Sequence, residues 1–421
     1  MNIRYQQIQG RSLGFYALIA TLGVIILAAL GGVYYMEHNG HHVTGMSNRI
    51  VWGMPHVFAL FLIVAASGAL NVASISSVFN KKMYKPLSRL SGLVALALLA
   101  GGLMVLVLDL GRPDRLIVAM TEYNFKSIFA WNIILYNGFF AVVIVYLWMM
   151  FERRMNKFSS KAGLVAFTWR LILTTGTGAI FGFLVARQAY DAVIMAPMFI
   201  IMSFAFGLAF FVLVLMASYK WTDRILGDMI VSRLSNLLGI FVAAVMYFVA
   251  VYHLGNLYLS ENAGVENFML FDGGVYTQLF WYGQIILGGL IPMALIYHPA
   301  TKGNRSMLGL ASVLIIIGGI VQLYIIIIGG QAYPMEMFPG KEILEGYGNV
   351  APYTPSLPEI LLGVGGIAVA IIAIAFAVKL LPFLPECLAD RQAMNIADIW
   401  IEGLKEEFSH DLADTHSKEC K

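Results

Sequence analysis

The stretch LSGLVALALLAGGLMVLVLDLGRPDR, residues 90–115, decides the fold. Its apolar part, at about 1.5 Å per residue, is long enough to cross the ~30 Å hydrocarbon layer of a bilayer as a helix. It then ends on Asp109, Arg112, Pro113, Asp114 and Arg115. Proline cannot continue a helix. Charges so close to hydrocarbon are costly and are rarely kept without a partner or a task. The stretch reads as one membrane span whose end carries chemistry.

Similar runs recur along all 421 residues, of which 59% are hydrophobic and 12% charged. A soluble domain carries about twice that charged share. The mean hydropathy is +0.78. The pattern predicts an all-α polytopic membrane protein with about ten transmembrane helices. They fall at Ser12–Met36, Trp52–Phe79, Leu87–Leu110, Ser127–Met150, Ala162–Arg187, Pro197–Ala217, Ser232–His253, Gln278–Ile296, Ser306–Ile328 and Pro358–Leu380. Unbroken apolar runs of this length exclude a β-barrel. The transmembrane domain covers 1–385 and a polar tail covers 386–421. In the tail, MNIADIWIEGLKEEF spaces Ile396, Ile399, Ile401 and Leu404 for a helix lying along a membrane or a partner. No short cleavable leader is visible at the start.

Lys and Arg set the orientation. Of the 27, 21 fall on the side of the N-terminus and 6 on the other. Both termini are expected in the cytoplasm, and LDLGRPDR on the outer, periplasmic face of the cytoplasmic membrane. The outer face also carries the two longest connections, Leu254–Thr277 and Gly329–Leu357, both acidic on balance. Loops this long are functional or ordered against something. The plainer reading is a self-packed lid. The net charge of +3 says little about nucleic acid, and no nucleic-acid partner is expected.

The two cysteines, Cys387 and Cys420, form no cluster, which excludes a protein-ligated iron–sulfur centre. Only His56 and His253 lie at a depth suited to axial ligation of a haem, and nothing positive supports one. No metal site and no self-contained catalytic group are expected. At one depth near the outer interface the sequence gathers His56, Asp109, Arg112, Trp131, Asn132 and Tyr136, with Arg187, Asp191, Tyr252 and His253. Each has a plainer reading. Asp109 and Arg112 suit an ion pair closing a helix end, and Trp131 and Tyr136 suit an aromatic belt. Arg187 and Asp191 are four apart and placed to pair within a helix. His253 suits interfacial packing. Taken together, proton donors and acceptors beside an apolar, lipid-facing surface are what a quinone headgroup needs. Deeper in the membrane, Asn71, Arg170 and Thr174 are candidates for a proton path, with Ser67, Ser74, Thr175 and Thr177. Such residues more often only bond helix to helix, and Arg170 could instead snorkel to the cytoplasmic interface.

WGMPHVFALFLIVAASGALNVAS (52–74), followed by LDLGRPDR and SIFAWNIILY (127–136), resembles the NrfD/polysulfide-reductase membrane-subunit family. ARQAYDAVIMAPMFI, GGQAYPMEMFPG and YTPSLPEILLGVGG are similar to its ten-span branch, found in dissimilatory sulfur metabolism. The resemblance spans most of the chain. It implies two four-helix bundles, about 52–187 and 197–328, with flanking helices 12–36 and 358–380. It implies an exchangeable menaquinone or ubiquinone at the outer side of the first bundle, and no haem or iron–sulfur cluster bound by this chain. It also implies a periplasmic ferredoxin-like iron–sulfur subunit as partner, with further cytochrome and iron–sulfur subunits, in surrounding membrane lipid. The quinone site would use the region of His56, with Asp109, Arg112 and Tyr136. The rival class is a secondary transporter or ion channel without redox chemistry. Such proteins place their sites at broken helices with paired charges at mid-membrane, and the sequence shows no such feature apart from Arg170.

Overall fold

A computed structural model of the chain describes residues 4–335 and 348–388. Ten helices in it are long and apolar enough to span a membrane. They are α1 (Leu13–Asn39), α2 (Met54–Ser77), α3 (Lys82–Leu108), α4 (Ile128–Phe151), α5 (Asn156–Gly182), α6 (Met195–Trp221), α7 (Asp228–Tyr258), α8 (Val275–Tyr297), α9 (Arg305–Ala332) and α10 (Leu357–Leu380). Local chemistry sets their ends. Ser12 accepts from the backbone of Phe15 to start α1, and the side chain of Asn304 accepts from Ser306 and Met307 to start α9. Pro55 and Pro358 sit in first turns, where a missing N–H costs nothing.

The span α5 ends at Gly182, short of Arg187. The apolar residues that follow are not helical but run through turns to α6. α2 is interrupted at Leu70.

α2 to α5 pack together, as do α6 to α9; α2 also packs on α6, α10 lies against α2 and α3, and α1 touches chiefly α10. α2 is the most enclosed helix, 94% buried over its central window. Lipid tails are as apolar as the side chains that face them, so close backbone approach and packing replace the hydrophobic effect. The α2–α6 crossing shows this. A side chain on Gly68 would run into the backbone of Ser203, and one on Gly207 into Gly68 and Ala69. Gly207→Val is therefore expected to cost about 3 kcal/mol through overpacking. Thermal unfolding of the detergent-solubilised protein reads this directly, and an unchanged midpoint would refute it.

The segments before α1 and after α10 meet on one face. β1 (Tyr5–Gln6) pairs antiparallel with β2 (Leu384–Pro385). The Arg224 guanidinium ties them, donating to the carbonyls of Gln6, Gln7 and Leu384. The opposite, distal face carries the start of α2, the end of α3 and the turns after α7.

Candidate functional site

The site begins where the chain enters α2 from the distal face. The backbone N–H groups of Val51 and Trp52 donate to Oε1 of Gln331, at 2.8 and 3.0 Å. Gln331 returns Nε2 to the Trp52 carbonyl, at 2.9 Å. The Met54 N–H donates to the Tyr353 hydroxyl at 2.7 Å, and that hydroxyl donates to Oε1 of Glu359 at 2.7 Å. Oε2 of Glu359 accepts from Gly45 and Ser356, at 2.9 and 2.7 Å. Burial, with Glu359 beside it, holds the Tyr353 phenol well above its usual range, so it stays a donor. Side chains from α9 and from the loop before α10 thus hold the backbone that leads into α2, and Tyr353 takes one of the orphan N–H groups that a helix start presents, that of Met54. The first turn of α2 is fixed before any ligand arrives.

On that turn, His56 Nδ1 lies 2.9 Å from Oδ2 of Asp109 at the end of α3. The approach lacks the alignment of a hydrogen bond. Both carboxyl oxygens are buried and, among the described residues, have no hydrogen-bond donor. The Asp109 side chain is 1% exposed and that of His56 24%. A buried carboxyl thus lies against a partly exposed imidazole. Trp52, just before α2, stacks on the His56 ring at 6.2 Å between centroids and meets Phe129 at 6.0 Å. Phe129 and Trp131 are both 45% exposed in the first turn of α4. An aromatic wall leads from there to His56.

The other predicted residues are placed differently. Arg112 does not close the helix on Asp109. It turns outward and grips Asp114 through two hydrogen bonds, at 2.9 and 2.8 Å, with both side chains exposed. That hydrogen bonding holds the Asp114 carboxyl below its ordinary range. Arg187 does not pair with Asp191. With no helix there, its guanidinium donates to the carbonyls of Gln331 and Arg49, at 2.7 and 2.8 Å. The Trp131 indole donates to the Phe125 carbonyl. Asn132 donates to the carbonyls of Ile128 and Gly176, and its oxygen faces Thr177, whose hydroxyl lies 3.4 Å from that of Tyr136. Asn132 and Tyr136 thus belong to the α4–α5 seam. Of the six, the structure brings together His56 and Asp109.

The deeper group converges. Arg170, midway along α5 and 2% exposed, does not snorkel. Its Nη1 donates to Oδ1 of Asn71 at 2.6 Å and to the Ser67 carbonyl at 3.2 Å. The hydroxyls of Ser67 and Thr174 both reach the Arg170 carbonyl. The guanidinium lies against the rings of Phe167 and Phe204. Among the described residues no carboxylate pairs with it. The break in α2 at Leu70 falls beside this cluster, where the Ser67 carbonyl serves both Leu70 and Arg170. Thr175 and Ser74 bond only within their own helices.

Sequence reasoning missed Trp52, Gln331, Tyr353 and Glu359. A signal for three of them existed. Trp52 stands four residues before His56, the spacing of neighbours on a helix. Gln331 and Glu359 are lone polar residues in apolar runs, where such groups are seldom idle. His253 reads from sequence as interfacial packing, yet its Nδ1 lies 2.7 Å from a buried carboxylate, Glu266. Among the described residues no group of three or more His, Cys, Asp or Glu is placed to hold a metal.

Residues 42–335 match the family model described as polysulphide reductase, NrfD. The chain is 30% identical over 393 residues to the Hdr-like menaquinol oxidoreductase integral membrane subunit of Archaeoglobus fulgidus, covering 92% of this chain and 98% of that one. It is 22% identical over 384 residues to the menaquinone reductase integral membrane subunit of Nitratidesulfovibrio vulgaris, covering 85% and 89%. It is 25% identical over 271 residues to protein NrfD of Escherichia coli, covering 58% and 84%. With matches of this extent over a helical, membrane-spanning architecture, the chain belongs to the NrfD/polysulfide reductase family of membrane subunits.

Proposed function

We propose that this chain is the quinone-reactive membrane subunit of a respiratory electron-transfer complex, exchanging electrons between the quinone pool and an iron–sulfur subunit on the distal face. The observation that carries the reading is the Asp109 carboxyl, buried without a hydrogen-bond donor among the described residues and set beside the partly exposed His56 ring. Unsatisfied buried polar atoms are costly and call for a partner. A quinone headgroup supplies carbonyl or hydroxyl oxygens there, together with the redox chemistry. His56 offers a ring nitrogen to such an oxygen, and Asp109 holds or releases the accompanying proton beside Nδ1. Trp52 and Phe129 provide the apolar wall toward the lipid in which an isoprenoid tail stays. Arg112 and Asp114, exposed at the rim, face the partner instead.

The names of the relatives support menaquinone over ubiquinone. The resemblance of GGQAYPMEMFPG and YTPSLPEILLGVGG to the ten-span branch supports a role in dissimilatory sulfur metabolism, in the manner of DsrP. The Lys and Arg asymmetry supports a cytoplasmic membrane location, with the distal face periplasmic and a ferredoxin-like subunit docked there. The loop Leu254–Thr277 packs in part on the bundle, since its Glu266 is fully buried. Residues 336–347 of the other loop, and the tail from 389 onward, lie outside the described residues.

Photolabelling of the purified complex with an azidoquinone tests the site. Label is expected on the segments holding Trp52–His56 or Phe129–Trp131, and excess menaquinone should compete it away. Label confined to other helices would refute the assignment.

A further inference from the structure

A second histidine–carboxylate pair sits in the other half of the molecule. The loop after α7 folds back over the distal end, carrying Glu266 to the side of that helix. His253 Nδ1 lies 2.7 Å from Oε2 of Glu266, and Asn256 donates to Oε1 at 2.9 Å. The Glu266 side chain is 1% exposed and that of His253 14%. As at Asp109, a buried acid lies against a partly exposed imidazole. The His253 ring is held edge to face by Tyr252 and Phe280, at 4.9 and 4.8 Å.

The inner side of His253 opens on a cavity of about 30 Å³, measured as the space open to the centre of a water molecule and lined also by Tyr252, Gln284, Gln322 and Met269. A second cavity of about 20 Å³ follows, lined by Gln284, Gln322, Phe206, Met246 and Gly288. One water needs roughly 10–15 Å³ on this measure and a few polar partners, so the first cavity has room for about two waters and the second for about one. Gln284 and Gln322 line both. Nε2 of Gln322 is buried and, among the described residues, has no hydrogen-bond partner. It is a donor waiting for water. The surrounding backbone is irregular in keeping with this: Phe268–Asp272, Leu279–Leu290 and Ile325–Gly329 are π-helical. Such turns gather at functional sites and leave carbonyls off the regular ladder.

We propose that His253 and Glu266 form a proton-exchange site, served from mid-membrane by water held between Gln284 and Gln322 and distinct from the His56–Asp109 site. Water at Gln322 and Gln284 passes a proton to the pair, Glu266 stabilises the positive charge on the His253 ring, and the exposed side of that ring releases the proton at the distal face. No electron moves in this step. On α7 the pair faces Tyr252, whose hydroxyl is committed to the Ala189 carbonyl, and Asn256. On α8 it faces Phe280. Among the described residues, neither cavity is lined by Lys, Arg or a carboxylate. The inner cavity touches Ala205 and Phe206, on the same turn of α6 whose Phe204 ring covers Arg170.

The test uses the whole complex in sealed vesicles, driven by quinol, and rests on the proposed function to that extent. Glu266→Gln is expected to leave quinol oxidation within about a factor of two. Protons released per electron should fall to the value set by quinol oxidation alone. Gln322→Leu, which leaves the pair intact but displaces the water, should give the same fall and covers the case in which Glu266→Gln fails to assemble. A wild-type ratio no higher than quinol oxidation supplies, or unchanged ratios in the variants, would overturn the proposal. Infrared spectroscopy supplies an arm that needs no quinol. A carboxylate stretching band that responds to the charge on the neighbouring imidazole, shifts in D2O and is absent from Glu266→Gln supports the site. Its absence from the wild type overturns the site, whatever happens at His56.

Discussion

Asp109→Asn is expected to lower quinol-linked turnover about a hundredfold, the lower range for loss of a positioned acid or base, while the complex still assembles. The amide matches the carboxyl in shape. Neither carboxyl oxygen accepts a hydrogen bond among the described residues, so the substitution breaks none that the fold uses. What it removes is the group able to hold or release a proton 2.9 Å from the imidazole. His56→Gln should fall by a similar factor, because the ring is the partly exposed neighbour of the buried acid. Groups that act as a unit are strongly non-additive, so the double variant should be no worse than either single one. A purely structural pair gives another pattern: losses in thermal stability that add, with turnover kept in whatever protein survives. Arg112→Ala is the internal control. Its guanidinium is spent on Asp114 at the exposed rim, so it should leave kcat for a soluble quinol analogue close to wild type. Steady-state turnover and thermal unfolding of the four variants decide between the patterns, and wild-type turnover in both Asp109→Asn and His56→Gln would remove the site.

The fold was legible because bilayer thickness fixes the length of an apolar run, and charges and prolines mark where each run must stop. Boundaries failed where the apolar run outlasted the helix. The span read to Arg187 stops at Gly182, and with it went the Arg187–Asp191 pair, which needed continuous helix to exist. The candidate site was legible as residue types and not as partnerships. His56 and Asp109 were both singled out, but spacing along one segment suggested Asp109 with Arg112. The real neighbour is on another helix, and only the packing of α2 on α3 creates it. Glu266 shows the same limit. An acid in a long polar loop reads as solvated, and nothing local announces that the loop folds back to bury it. The supports Gln331 and Glu359 carried a fainter signal, a polar side chain inside hydrocarbon, whose meaning depends on what lies across the bundle.

Arg170 gives the second large effect, and its sign depends on which partner is removed. Asn71→Leu should destabilise the protein by about 2 kcal/mol, since hydrogen bonds to charged groups are among the stronger ones. The variant leaves a buried guanidinium with the Ser67 carbonyl and two aromatic faces. Neutral bonds between membrane helices average only about 0.6 kcal/mol, so a drop of that size would mean that Arg170 is reached by water. Arg170→Met removes the charge and fills similar space. Replacing a buried ionic group by a packed apolar one is often neutral or stabilising, so its thermal midpoint should match or exceed the wild type. Stability and function should then part company. If Ser67, Asn71, Arg170 and Thr174 carry protons through the first bundle, Arg170→Met vesicles turn over quinol but move less charge per electron. If the cluster only seals the break in α2 at Leu70, charge movement is unchanged and the variant is simply more stable. We expect the first result, because a charge that costs stability and lacks a carboxylate partner is poorly explained by packing alone. Membrane-potential measurements on the same vesicles as the thermal scans test it, and unchanged charge movement in Arg170→Met and Asn71→Leu together would remove this path.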